Sequence, residues 1–324
     1  MRAAASICNR FFGLGANVGS NRVIVFGYGE LGVAAIEALA SAGAHIQAVV
    51  VPSNRTGDDV EFIKSYARNH GLQLLIQPPR KTVEPFVGEL RRIDPDLILV
   101  WSYPMILPRS VIEVPHLGSI NVHGGLLPQY RGGHVMQWAI IKGESETGVA
   151  VHYMDEGIDT GPIVAQEHFP IESDDDALTV RQKLRVTGVR LLKAWWPAIA
   201  EGRAPRDKQD ESKARYYPLR TSDDGVIDWG ASSYDIHNLV RALVRPWPGA
   251  FTFVENEKLI VWKSRILPGQ GESVPGVVAM VDQSGAYVHT GDGELVIEVA
   301  ERGGSRLEGA QLRQILPVGV RLGT

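Results

Sequence analysis

The chain has 324 residues, 44% hydrophobic and 22% charged, a composition that suits a soluble globular protein with room for two domains. Its formal net charge of −4 argues against an extended nucleic-acid surface. The single cysteine, Cys8, excludes an intramolecular disulfide and a cysteine-based zinc site, and no apolar run is long enough to span a bilayer. A cytoplasmic location is expected.

Residues 1–21 carry Arg2 and Arg10 but lack the continuous hydrophobic segment of a secretory signal. They read as an N-terminal tail, with a weak organelle-targeting character as the alternative. From Val23 the pattern is strand, turn, helix, repeated. Val23–Phe26 predicts a buried strand, Glu30–Ala42 a helix with Leu31, Ala34, Ala35, Ala38 and Leu39 at helical spacing, and Ile46–Val51 a second strand. A helix is expected over Asp58–Asn69, strands over Leu72–Ile76 and Leu97–Val100, and a helix over Val83–Arg92 between them. Such alternation predicts a doubly wound, Rossmann-like α/β sheet, parallel, with helices on both faces. A long helix over Ala177–Glu201 closes this domain, and Gly202–Ser212 is polar enough for a linker. Strand-like runs at Ala250–Val254, Leu259–Trp262, Val277–Val281 and Leu295–Val299 predict a small β-rich second domain, a partly open, OB-like barrel. The expected division is a tail over 1–21, a catalytic domain over 22–203 and a β-rich domain over 204–324.

Gly27-Tyr28-Gly29-Glu30-Leu31-Gly32 matches GxGxxG in the strand–turn–helix context of a dinucleotide fingerprint. That fingerprint also needs a carboxylate about 20 positions on, at the end of the second strand. The strand here ends Val51-Pro52-Ser53-Asn54, with Arg55 as the one group that would suit a 2′-phosphate. Tight packing of helix on strand accounts for the glycines without a cofactor.

The chemistry concentrates in residues 119–163. Asn121 and His123, two apart at a strand end, share one face of that strand. Gly124-Gly125 follow, and Asp159 lies further on in the turn-rich Glu156-Gly157-Ile158-Asp159-Thr160-Gly161. Singly, each has an ordinary structural explanation, such as an Asx turn for Asp159. The ordered set is more specific: N-x-H at Asn121–His123, LLPxYRG at Leu126–Gly132, WAIxxGExxTGV at Trp138–Val149 and DxGxDTGxI at Asp155–Ile163. These motifs resemble the folate-dependent formyltransferase family. The resemblance continues through Asp223–Trp229, His237–Ala242 and Pro246–Phe251, and so covers about residues 22 to 300.

The resemblance implies 10-formyltetrahydrofolate as donor, an amine as acceptor and no metal. It implies Asn121, His123 and Asp159 as the catalytic set. It places Met105, Ile106 and Leu107, with Asp155, Glu156, Gly157 and Ile158, around the pterin. Tyr28, Tyr103, Arg131 and Arg245 are candidates for the acceptor, Arg131 equally for structural contacts. Two departures bear on the acceptor side: Gly133–Gln137 lacks the proline many relatives carry before the tryptophan, and Gly124 replaces serine or proline.

The layout is most like that of nucleotide-sugar N-formyltransferases, including those acting on UDP-4-amino-4-deoxy-L-arabinose. That implies small-molecule partners only, no nucleic acid and no membrane, with a homo-oligomer left open. Methionyl-tRNA formyltransferase is the rival, together with a folate- or nucleotide-binding module lacking transferase activity. A tRNA enzyme should carry a long basic loop after the second strand and a basic second domain. Here the loop Pro52–Asp59 is short and holds two aspartates, and from Pro205 onward 14 Lys/Arg stand against 16 Asp/Glu.

Overall fold

The computed structural model describes residues 21–267 and 274–323. The expected N-terminal tail lies, Asn21 aside, outside the described residues. Packing divides the described residues into two compact units: 21–122 with 151–156 and 189–207, and 123–150 with 157–188, 208–267 and 274–323.

In chain order the first elements are β1 (Arg22–Gly27), α1 (Gly29–Ser41), β2 (His45–Pro52), α2 (Asp58–Asn69), β3 (Gln73–Gln77), α3 (Glu84–Ile93), β4 (Leu97–Trp101), α4 (Arg109–Ile112) and β5 (Ser119–His123). β2, β1, β4 and β5 are joined by parallel registers, as are β2 and β3. Their order, β3-β2-β1-β4-β5, is the doubly wound one, continued by β7 (Glu146–Tyr153) and β8 (Ile163–Pro170).

Period-2 alternation explains how both faces are covered. Ile24, Phe26, Ala48, Val50, Ile98 and Val100 point one way and bury against Phe86, Val87 and Leu90 of α3 and Val111 and Ile112 of α4. Their neighbours Val23, Val25, Val49, Leu97 and Leu99 point the other way and are also fully buried. Each such side chain stabilises the fold by about 1.5–3 kcal/mol. The glycine motif is accounted for by packing: a Cβ on Gly32 would lie 2.7 Å from Ile63 Cδ1, and one on Gly27 2.9 Å from the Trp101 carbonyl oxygen.

The second unit contains β6 (Arg131–Gly132), α5 (Val135–Ile141), β9 (Tyr216–Tyr217) and α7 (Ser233–Ala242), with the long α6 (Ala177–Ala200) beginning in it. β6 pairs in parallel with β9. Then come β10 (Ala250–Val254), β11 (Glu257–Leu267), β12 (Val278–Asp282), β13 (Gly285–His289), β14 (Glu294–Arg302) and β15 (Ser305–Glu308). They form an antiparallel sheet in the order β10-β11-β14-β13-β12, with β15 on β14. β11 runs beyond its apolar stretch because it stays paired with β14 as far as Leu267↔Glu294, past register shifts between Val261 and Ser264.

Candidate functional site

His123 ends β5 and is buried at 6% exposure. Its Nδ1 lies 3.5 Å from Asp159 Oδ2, an ion-pair distance, and its Nε2–H donates to the Tyr130 carbonyl at 2.5 Å. Both ring nitrogens therefore face acceptors, an arrangement that the doubly protonated ring satisfies. Gly125 leaves room for the ring, since a Cβ there would sit 3.3 Å from Nε2 and 3.0 Å from both Tyr130 Cβ and Val135 Cγ2.

Asp159 adopts a left-handed backbone conformation, φ +54°. Its Oδ2 accepts the Gly132 N–H at 2.9 Å, which fixes the carboxylate opposite the imidazole. Gly132 is itself left-handed, φ +104°, and a Cβ would fall 2.2 Å from the Tyr217 carbonyl oxygen. Only glycine fits there. The loop is tied from the other side by Gln209, whose Nε2 donates to the carbonyls of Asp159 and Gly161 at 2.8 and 2.7 Å.

Gln209 Oε1 in turn accepts from Arg131 Nε and Nη2. The Arg131 guanidinium is fully buried and also donates to both carboxylate oxygens of Glu211 and to Tyr216 Oη. All the N–H groups of a guanidinium are thereby used inside the chain, and Glu211 raises the pKa of Arg131 further. Arg131, expected either at the acceptor or in a structural role, is engaged in this network and has no donor left over for a phosphate. Tyr130, stacked on Tyr217, donates its hydroxyl to Glu144 at 2.6 Å; burial and Glu144 raise its pKa.

Sequence reasoning missed Gln209 and Glu211, which lie in the stretch read as a linker. Nothing local marks them, because a polar run reads the same whether its partners are water or residues 50 and 80 positions away.

In the first unit, Asn121 is half-buried on β5, and its Nδ2 lies 3.2 Å from His152 Nε2. Tyr103 packs edge-on against Phe26, and its buried hydroxyl has no hydrogen-bond partner among the described residues; burial raises its pKa. Beyond it Met105 is half-buried, Ile106 is 71% exposed and Leu107 is buried. Asp155, Glu156, Gly157 and Ile158 are all exposed. Tyr28 immediately precedes α1 and carries the Arg55 guanidinium 4.4 Å over its ring, where Arg55 is paired with Asp59. Arg245, exposed in the second unit, lies over Trp262 and pairs with Glu301. A cavity of about 370 Å³ lined by His116, Ser119, Tyr153 and Arg206 sits at the opposite end of β5 from His123. Among the described residues no cluster of His, Cys, Asp or Glu is suited to a metal ion, and no helix is long and apolar enough to cross a membrane.

The formyl transferase family model matches residues 21–194, and the model for the formyl transferase C-terminal domain matches residues 220–314. The chain belongs to the formyl transferase family. It is therefore an enzyme of formyl transfer. A methionyl-tRNA formyltransferase from Ruminiclostridium cellulolyticum is 35% identical over 284 residues, covering 86% of this chain and 90% of that one. Among solved structures, the sugar 3N-formyl transferase WlaRD, studied with dTDP and 5-N-formyl-THF, has a TM-score of 0.65 at 21% identity and covers 88% of this chain and 99% of its own. An N-formyltransferase from Helicobacter canadensis, in complex with folinic acid and dTDP-3-aminofucose, also has a TM-score of 0.65 at 21% identity, covering 85% and 98%. At that identity the likeness is one of fold.

Proposed function

We propose that the chain transfers the formyl group of 10-formyltetrahydrofolate to the amine of a nucleotide-linked amino sugar, with UDP-4-amino-4-deoxy-L-arabinose the first candidate. The observation that carries the chemistry is the His123–Asp159 pair, with Asp159 held by the Gly132 N–H. The neutral amine attacks the formyl carbon, and negative charge develops on the formyl oxygen. Asn121 donates an N–H to that oxygen, and the positive charge of the His123 imidazolium stabilises it. As the tetrahedral intermediate collapses, the carbon–N10 bond breaks. The imidazolium gives N10 the Nε2 proton that it otherwise shares with the Tyr130 carbonyl, and the neutral ring so formed takes the proton lost by the amine, which restores the charged form that Asp159 supports. Donor binding is assigned to Met105–Leu107 and to Asp155–Ile158. The exposed side chains of Ile106 and Ile158 supply apolar contact there, and the buried hydroxyl of Tyr103 stays a candidate for the acceptor.

The acceptor assignment rests on charge, and sugar N-formyltransferases among the structural neighbours are in keeping with it. A sugar nucleotide carries two phosphates, which Arg245 and a few other cations would neutralise without a basic surface. The 35% identical tRNA enzyme favours the second reading, formylation of methionyl-tRNA. A panel decides between them: UDP-, dTDP- and GDP-linked amino sugars and methionyl-tRNA, each assayed with 10-formyltetrahydrofolate. Turnover of an amino sugar is expected. Efficient formylation of methionyl-tRNA with no sugar turnover would overturn the acceptor, and donor consumption that no amine accelerates would overturn the transferase.

A further inference from the structure

We infer that His152 is a positioning residue for formyl transfer, holding the Asn121 carboxamide so that its nitrogen, and not its oxygen, is fixed as the working end. The inference deepens the role proposed for Asn121 and rests on it.

His152 lies on β7 at 2% exposure. Its Nδ1 is 2.8 Å from the carbonyl oxygen of Tyr153. A carbonyl only accepts, so Nδ1 carries the hydrogen. In the neutral ring of that tautomer Nε2 presents a lone pair, and it presents it to Asn121 at 3.2 Å. A lone pair requires a donor, which identifies the Asn121 atom facing it as Nδ2. Turning the amide over would set Oδ1 against Nε2, acceptor against acceptor, in a buried place where such a mismatch is costly.

The strand backbone by itself does not choose between the two orientations. The terminal torsion of asparagine is broad and nearly two-fold, so β5 fixes where the amide is and not which way it faces. The reaction cares which way it faces. An amide nitrogen meets a developing oxyanion with an N–H, whereas an amide oxygen would repel it. The Tyr153 carbonyl thus sets the tautomer, the tautomer sets the amide, and the amide meets the substrate. His152 itself does not touch the reacting atoms.

Two measurements on the full chain test this. The first reads the tautomer directly, by long-range ¹H–¹⁵N correlation on ¹⁵N-histidine-labelled protein, with His152 identified by the signals missing from His152→Phe. A hydrogen on Nδ1 is expected; one on Nε2 would overturn the inference whatever the kinetics. The second uses the acceptor turned over in the panel and compares His152→Phe, His152→Gln, Asn121→Ala and the double variant His152→Phe/Asn121→Ala, with melting curves to verify folding. His152→Phe should lower kcat by roughly 10- to 100-fold, less than the 10²–10³ lost with an oxyanion donor, while KM changes little. His152→Gln, which restores an acceptor near the place of Nε2, should recover most of the rate. In the Asn121→Ala background His152→Phe should cost nothing further. Undiminished kcat in folded His152→Phe, beside a slow Asn121→Ala, would overturn the positioning role alone. Normal kcat in Asn121→Ala would instead remove the proposed role of Asn121, leaving the tautomer measurement to judge the geometry. If His152→Phe does not fold, failure of His152→Gln to outperform His152→Asn overturns the inference.

Discussion

At the scale of single residues, the candidate site depends both on the charge of Asp159 and on where that carboxylate is held. Asp159→Asn keeps an oxygen for the Gly132 N–H and removes the charge that supports an imidazolium. It should lower kcat and leave the KM for donor nearly unchanged, as steady-state kinetics would show. A change confined to donor affinity would assign Asp159 to binding. His123→Ala should cut turnover by roughly 10²–10⁴-fold in a folded protein. Gly132→Ala tests the backbone instead. With φ at +104° and a Cβ 2.2 Å from the Tyr217 carbonyl, the chain must shift, at a cost of about 1–3 kcal/mol or more. The urea midpoint and kcat should fall together, and a wild-type midpoint would contradict the geometry. Asn121, His123 and Asp159 could be picked out in the sequence because they recur in ordered motifs. Gln209 could not, because a buried polar residue with distant partners leaves no period in the chain.

Among the elements, α7 carries a pH dependence that the strand pattern around it did not reveal. Its N-terminus is capped by Ser232, whose side chain accepts from the Asp235 N–H at 3.0 Å. It half-buries His237, bonded to Ser264 of β11, and buries Arg241, which donates to the Glu172 and Asp175 carbonyls. Burial and the nearby Arg241 charge hold the pKa of His237 below its ordinary 6.5, against a smaller pull from Glu298. The unfolded chain therefore takes up this proton first. Stability is unaffected by His237 above pH 6.5 and falls as pH drops from there toward the folded pKa. The melting temperature should decline over that range, and His237→Gln should flatten the decline; an unchanged slope would assign it to other groups. The doubly wound half was readable from its apolar strands and alternating helices. The helices α5 and α7 were not, since each is short and buries polar groups, Gln137 in one and Asn238 and Arg241 in the other.

For the molecule as a whole, charge separates the two acceptor readings. With a net charge of −4 and no basic excess after Pro205, binding of the acceptor should depend only weakly on salt. Measured as log Kd against log salt, a sugar nucleotide gives a shallow slope, and a steep one would mark many phosphate contacts. The segment that steadies Asp159 has a different consequence. Gln209, Glu211, Tyr216 and Tyr217 all lie between the stretches matched by the two family models, 21–194 and 220–314. A hybrid enzyme joined just after residue 203 would inherit its Asp159 and Arg131 from one parent and their partners from another. Joined after Tyr217, it would keep them together. The seam for exchanging halves between relatives thus lies some fourteen residues later than composition suggests, and hybrids made on either side of it should differ in turnover while both retain their sheets.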